Sequence, residues 1–175
     1  MQQLRLSGTG GQGLILAGII LAEAALMDGK QAIQSQSYGP EARGGSSKSE
    51  VIISEGKIHY PKITVPNVVL AMSQEACKKY TIDLPADGIL ITDSLFVQQL
   101  PDKQFKKVYE LPITHTAQDS LGKALFANII ALGAIAKITG VVSIESLTKA
   151  VLARVPKGTE AVNEKALKLG MDLVG

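Results

Sequence analysis

Gly8, Gly10 and Gly13 are spaced as Gly-x-Gly-x-x-Gly, with Gly11 and Gln12 filling the last gap, and no other stretch of the chain implies chemistry so directly. Glycines at that spacing permit a tight turn and close approach of backbone to a ligand, and they leave the N–H groups of a following helix aimed at an anion. The context fits, since Leu4-Arg5-Leu6 alternates as a strand before the loop and Leu14 to Met27 is a continuous run of helix formers after it. Two companions are missing. A nicotinamide or flavin enzyme carries an acid about 20 positions on, to bind the ribose hydroxyls; here that stretch reads Gln34-Ser35-Gln36-Ser37. A nucleoside-triphosphate loop closes on Gly-Lys-Ser/Thr, which this loop lacks. Three readings stay open: an anion or phosphate-group site at Gly8, Gly10, Gly11, Gln12 and Gly13, a partner-docking loop, or glycines that only let the first helix pack closely.

A second polar segment runs Tyr38-Gly39-Pro40-Glu41-Ala42-Arg43-Gly44-Gly45-Ser46-Ser47. Arg43 beside two glycines suits a bidentate grip on carboxylate or phosphate, with an ion pair to Glu41 as the structural reading. By strand order this segment leaves the same carboxyl edge of the sheet as the glycine loop, where open α/β sheets place ligands, so the two loops are expected to be neighbours. Tyr38, Glu41, Gly44, Gly45 and Asp93 are candidates to line the shared cleft. Asp93-Ser94, at a strand end, serves equally well as a helix cap. Cys77 reads as an inert packing thiol, and His59 and His115 have no ligand spacing around them, so no metal site is assigned.

The elements that must position these residues alternate between strand and helix. Gln31 to Ser37 reads as the second strand and Tyr38 to Ser49 as a loop, while Val51 to Ser54 and Lys57 to Tyr60 flank Glu55-Gly56 as a tight hairpin. Val68 to Met72, Ile89 to Asp93 and Lys107 to Leu111 are short buried strands, with Gln74 to Tyr80 a helix between the first two. Helices follow at about Ser120 to Thr139, Ser143 to Val155 with Ser143 as N-cap, and Thr159 to Val174. The pattern predicts a three-layer, Rossmann-like α/β fold with a mostly parallel or mixed sheet, a small antiparallel hairpin addition and a helical C-terminal third.

Composition bounds the rest. A mean hydropathy of +0.19 and a formal charge of +2 exclude disorder, and a 175-residue chain can bury one sufficient core, so residues 1–175 are expected to form a single domain. One cysteine excludes a disulfide framework, and with it any iron–sulfur cluster or thiolate zinc held by this chain alone; a reducing, cytoplasmic location is expected. Scattered charge of both signs gives no nucleic-acid stripe. The apolar runs are interrupted by glycine or shorter than the ~20 residues of a membrane span.

Taken together, Gly8-x-Gly10-Gly11-Gln12-Gly13, the stretch Gln36-Ser37-Tyr38-Gly39-Pro40-Glu41-Ala42-Arg43-Gly44-Gly45, and later segments around Ala71-Met72-Ser73-Gln74-Glu75, Thr92-Asp93-Ser94, Asn128, Gly133 and Asn163 resemble the gamma subunits of the 2-oxoacid:ferredoxin oxidoreductases. The resemblance spans the whole chain and is nearest the 2-oxoglutarate synthase type. It implies a complex that converts a 2-oxoacid and coenzyme A to acyl-CoA and CO2 while reducing ferredoxin. Thiamine diphosphate, Mg and iron–sulfur clusters would then sit on the alpha, beta and delta-type (ferredoxin-like) partners, because this chain has neither a thiamine motif nor cluster ligands. Its share would be a wall of the active-site or coenzyme A side, through the glycine loop and Arg43, with no bond-making residue. The rival expectation is a stand-alone phosphate- or nucleotide-binding regulatory module. Leu14 to Met27 and Ala124 to Ala136 are apolar almost all round, which predicts an apolar patch left for partner subunits.

Overall fold

The computed structural model describes residues 1–37 and 45–175. Its elements are β1 (Gln2–Thr9), α1 (Leu14–Met27), β2 (Gln31–Gln36), β3 (Ser46–Ser54), β4 (Val68–Ala71), α2 (Gln74–Tyr80), β5 (Ile89–Asp93), β6 (Lys107–Leu111) and α3 (Ile113–Leu121). A 3-10 turn (Ala124–Phe126), α4 (Ala127–Thr139), α5 (Ile144–Arg154) and α6 (Glu160–Val174) complete it. The six strands form one mixed sheet in the order β2-β3-β1-β4-β5-β6. β1, β4, β5 and β6 are parallel, and β3 is antiparallel to both β1 and β2.

The antiparallel element is real but lies elsewhere than the hairpin expected around Glu55-Gly56. β3 pairs with β2 and β1, and Lys57 to Tyr60 form no strand. Ser46 to Glu50, expected to be loop up to Ser49, are the first half of β3. Their polarity concealed the strand: Ser49 is buried against α1 at Gly18, while Lys48 and Glu50 join a charged cluster on the opposite face. The helix expected from Ser120 to Thr139 is also two helices. Gly122, in the left-handed region at φ 78°, ends α3, and α4 begins only after the 3-10 turn.

Alternation along the strands divides the sheet into two unlike faces. Leu4, Leu6, Val51, Ile53, Val68, Leu70 and Ile91 share one core with α1, α3, α4, α5 and α6. The opposite face carries Arg5, Ser7, Val69 and Leu90 and has α2 as its helix. Within the first core α4 is enclosed, with every residue from Ala127 to Ala136 buried. α6 packs on it so closely that a Cβ at Gly170 would overlap the Ile130 carbonyl and one at Gly133 the Leu167 carbonyl. The apolar circumference of α4 is thus covered inside the chain, which corrects the expectation that it contributes to a patch for partners.

Among the helices of the C-terminal third, α5 has a side-chain cap at its start. Ser143 caps α5, its Oγ accepting the Ser146 N–H at 3.1 Å. Asp28, just past the end of α1, reinforces that cap by accepting from the Ser143 N–H and hydroxyl, both at 2.7 Å, and from the Ser146 hydroxyl at 2.6 Å. Desolvation opposes ionisation of Asp28, but these hydrogen bonds and the charge of Lys30 outweigh it and hold the carboxyl below its usual range.

Candidate functional site

α1 follows β1 onto the heavily covered face, and α2 follows β4 onto the other, so the carboxyl ends of these adjacent parallel strands diverge. Such a switch point is where α/β sheets receive ligands. Here a side chain of the loop itself bridges the divergence. Gln12 Oε1 accepts the Thr9 N–H at 2.7 Å, and Gln12 Nε2 donates to the Met72 carbonyl at 3.0 Å. Both ends of the amide are therefore engaged within the chain, and the sequence expectation of Gln12 as an anion contact meets a residue that ties the loop to β4.

The other loop residues divide by environment. Gly8 lies beneath Gln12 and Leu14, where a Cβ would collide with both side chains. Gly13 caps α1 at φ 76°, a left-handed conformation that disfavours side chains, and a Cβ there would stand 2.6 Å from Asn128 Nδ2. Asn128, whose part in the loop the sequence reading did not assign, donates to the Gly13 carbonyl at 3.2 Å and so fastens α4 to the loop. Gly10 and Gly11 are exposed, and among the described residues no side chain caps the start of α1. Two glycines thus fit the close-packing reading, and two keep the backbone open beside an uncapped helix start.

Tyr38, Glu41, Arg43 and Gly44 lie outside the described residues. Their flanks are in place: β2 ends at the same edge as β1, Ser37 N–H donates to the Lys48 carbonyl at 3.2 Å, and the β1–β3 register pairs Thr9 with Ser46. The second segment therefore returns to the sheet at Ser46, opposite the residue from which the glycine loop leaves it.

A cleft of about 360 Å³ opens at this edge, lined by Thr9, Gly11, Gln12, Phe96, Thr114 and Leu125 among others. Thr9 ends β1, Gly11 and Gln12 come from the loop, Phe96 from the turn after β5, Thr114 from the first turn of α3, and Leu125 from the 3-10 turn. Phe96 and Leu125 are exposed large apolar residues, and Leu95 and Leu100 add two more in the segment after β5. Sequence reasoning did not find Phe96, Thr114 or Leu125. Pro112 followed by Gly122 brackets a nine-residue helix and was the signal available for α3.

Asp93 does not line the cleft. It is fully buried, and its carboxylate accepts from Leu95 and Thr114, so the capping alternative describes its contacts. Burial pushes its carboxyl above the usual range, although hydrogen bonds from Thr114, Leu95 and Ile113 pull the other way. Cys77 is buried within α2, where desolvation raises its thiol. His115 pairs with Asp119 on the exposed side of α3 at 2.9 Å. Among the described residues no three metal-ligating side chains cluster, and no helix is long and apolar enough to cross a membrane.

A charged cluster that the sequence did not announce sits on the α2 face. Arg5, buried in the middle of β1, donates to Asp83 at 2.6 and 3.1 Å, to the Tyr80 carbonyl at 3.0 Å and to Glu50 at 3.2 Å. Burial alone would lower the basicity of Arg5, but Asp83 and Glu50 outweigh it, and Arg5 in turn holds the Asp83 carboxyl below its usual range against desolvation. All three nitrogens of this guanidinium have an internal partner, which makes it a brace for the sheet rather than a free anion contact.

A mixed, mostly parallel sheet with a glycine turn at its switch point and a neighbouring polar segment defines a class of α/β chains. Residues 3–173 match the family model for pyruvate ferredoxin/flavodoxin oxidoreductase, and this chain belongs to that family. It is 45% identical to the 2-oxoglutarate synthase subunit KorC of Methanocaldococcus jannaschii, over 98% of this chain and 93% of that protein. The crystal structure of a keto/oxoacid ferredoxin oxidoreductase gamma subunit from Geobacter sulfurreducens superposes with a TM-score of 0.87 at 50% identity, covering 98% of this chain and 97% of that one. The same fold occurs within the 2-oxoglutarate:ferredoxin oxidoreductase of Magnetococcus marinus, solved with 2-oxoglutarate, coenzyme A and succinyl-CoA bound. There the TM-score is 0.85 at 22% identity, over 98% of this chain and 30% of that one. The α/β fold expected from the sequence and the resemblance to gamma subunits of this family are both borne out.

Proposed function

We propose that the chain is the gamma-type subunit of a multi-subunit 2-oxoglutarate:ferredoxin oxidoreductase. The complex converts 2-oxoglutarate and coenzyme A to succinyl-CoA and CO2, and the two electrons released reduce ferredoxin. The observation that carries this reading is the near full-length similarity, at 45% identity, to a 2-oxoglutarate synthase subunit. Thiamine diphosphate, Mg and iron–sulfur clusters belong in this reading to alpha, beta and delta-type partners in the cytoplasm, since the chain's one cysteine cannot supply a cluster. Each residue of this chain then acts by binding, orienting or excluding water. The exposed backbone at Gly10 and Gly11, the uncapped start of α1 and Arg43 are the proposed contacts to the anionic groups of coenzyme A or of the dicarboxylate. Tyr38, Glu41, Gly44 and Gly45 belong to the adjoining wall, and Leu95, Phe96, Leu100 and Leu125 supply an apolar rim at the same edge for the partner subunits.

The test is reconstitution. The chain is co-expressed with its genomic neighbours, and ferredoxin reduction is assayed with 2-oxoglutarate, pyruvate and branched-chain oxoacids, with and without this subunit. The expected result is a complex containing this chain whose kcat/KM is highest for 2-oxoglutarate and whose activity is lost without it. A chain that elutes alone, or a complex that prefers another oxoacid tenfold or more, refutes the assignment. Arg43→Ala in the assembled enzyme should raise the KM for coenzyme A or 2-oxoglutarate about tenfold, the usual effect of losing a charge-assisted hydrogen bond. Unchanged kinetics would assign Arg43 to structure.

A further inference from the structure

The walls of the cleft come from separate segments of chain, and one solvent-free carboxylate joins two of them. Asp93 Oδ1 accepts the Leu95 N–H at 3.2 Å, while Oδ2 accepts the Thr114 N–H at 3.2 Å and the Thr114 hydroxyl at 2.5 Å. Leu95 precedes Phe96 in the turn after β5, and Thr114 opens α3; Phe96, Thr114 and Gln118 face the cleft. The Asp93 carbonyl draws the turn in further by accepting the N–H groups of Phe96 at 3.1 Å and Val97 at 2.9 Å. Capping a turn or starting a helix needs one acceptor. Here both oxygens of a single carboxylate are used, one for each wall, so the spacing of the walls is fixed by the width of one side chain.

We infer that Asp93 is a positioning residue of the cleft, setting the distance between the Phe96 turn and the first turn of α3 without touching what binds there. This rests on the function proposed above and goes beyond it. A carboxylate is the one side chain of this size that can accept from all three donors at once. In Asp93→Asn the amide nitrogen must face at least one N–H, so the two walls lose their common anchor and both are loosened, while volume and packing are kept.

The test uses the assembled complex carrying Asp93→Asn, Thr114→Val or Thr114→Ser. For Asp93→Asn we expect the KM for coenzyme A or 2-oxoglutarate to rise about tenfold with kcat within about twofold of the parent, as for one buried hydrogen bond lost at the wall. Thr114→Val should give about a threefold rise, and Thr114→Ser, which keeps the hydroxyl, should match the parent. Hydrogen exchange supplies a readout independent of activity. In Asp93→Asn the amides of residues 95–97 and 114–118 should exchange faster together, by about tenfold for a comparable loss of local protection. A lower melting temperature with both KM values unchanged, or faster exchange in only one wall, overturns the inference. If Asp93→Asn does not assemble, the contrast between Thr114→Val and Thr114→Ser decides, and equal KM values for those two overturn it. An inactive parent complex counts against the proposed function alone, because the exchange experiment still judges the clamp.

Discussion

On the face covered by α1, α4, α5 and α6, β1 and β4 present Leu4, Leu6 and Leu70, all fully buried and all apolar. On the face covered by α2, the same two strands present Arg5, Ser7 and Val69, and Arg5 is held by Asp83, Glu50 and the Tyr80 carbonyl. The first face is stabilised by close packing, which is non-directional and tolerates exchange of similar shapes. The second depends on hydrogen-bond geometry around one cation, which is specific and intolerant of partial removal. The difference shows how a parallel sheet can be covered by helices on one side and still be finished on the other by a short helix and an ionic brace.

Four changes probe that contrast, and the largest effect should come from the packed face. Gly170→Val puts a branched side chain into the α4 backbone and should cost about 3 kcal/mol or more, seen as loss of folded protein or of a cooperative melt; a variant with the parent's melting temperature would show that the α4–α6 contact is loose. Next, Arg5→Met removes the arginine partner of Asp83 and leaves Glu50 with Lys48 alone. Because Asp83 is half exposed, the expected loss is about 2 kcal/mol in urea denaturation, below the full cost of a buried unpaired charge. Adding Glu50→Gln and Asp83→Asn should recover part of it, whereas full additivity of the three changes would dissolve the idea of a brace. Gly13→Ala, which must adopt a positive φ and meet Asn128, should cost about 1 to 2 kcal/mol and weaken coenzyme A binding in the complex. The smallest effect belongs to the cap between α1 and α5: Asp28→Asn should lose about 1 kcal/mol near neutral pH. The sign is set by the depressed carboxyl of Asp28. Its contribution is present above the unfolded-state value, near pH 4, and is lost as pH falls through the folded value. The gap between parent and variant should therefore start to narrow near pH 4 and close below the folded value; a gap that stays constant to lower pH would remove ionised Asp28 from the account.

What could be read from the sequence follows the same division. β4, β5, β6, α1 and α2 are visible because apolar runs and helix formers are bounded by glycine, proline or capping residues, and α5 because Ser143 marks its start. β3 is not, because its first half is serine, lysine and glutamate whose partners are Arg5 and α1, distant in sequence. The candidate site was legible as a place and less so as a set of roles. The end of the polar segment meets the glycine loop's strand where Ser46 pairs with Thr9, and residues 38–44 lie outside the described residues. Gln12 and Asp93, read as possible ligand contacts, turn inward to Met72 and Thr114, and no local pattern distinguishes an amide or carboxylate aimed at solvent from one aimed at a neighbouring strand.

The enclosure of α4 bears on motion as well as on stability. Amides of a helix buried on every side are expected to exchange only when the whole domain opens, whereas the turn at Val97 packs in a much smaller cluster with Ala71 and Cys77 and is expected to be less protected. The cleft is bordered by both kinds of region. Its Leu125 and Thr114 sides adjoin the larger core and its Phe96 side the smaller cluster, and Asp93 is the group that ties the two together.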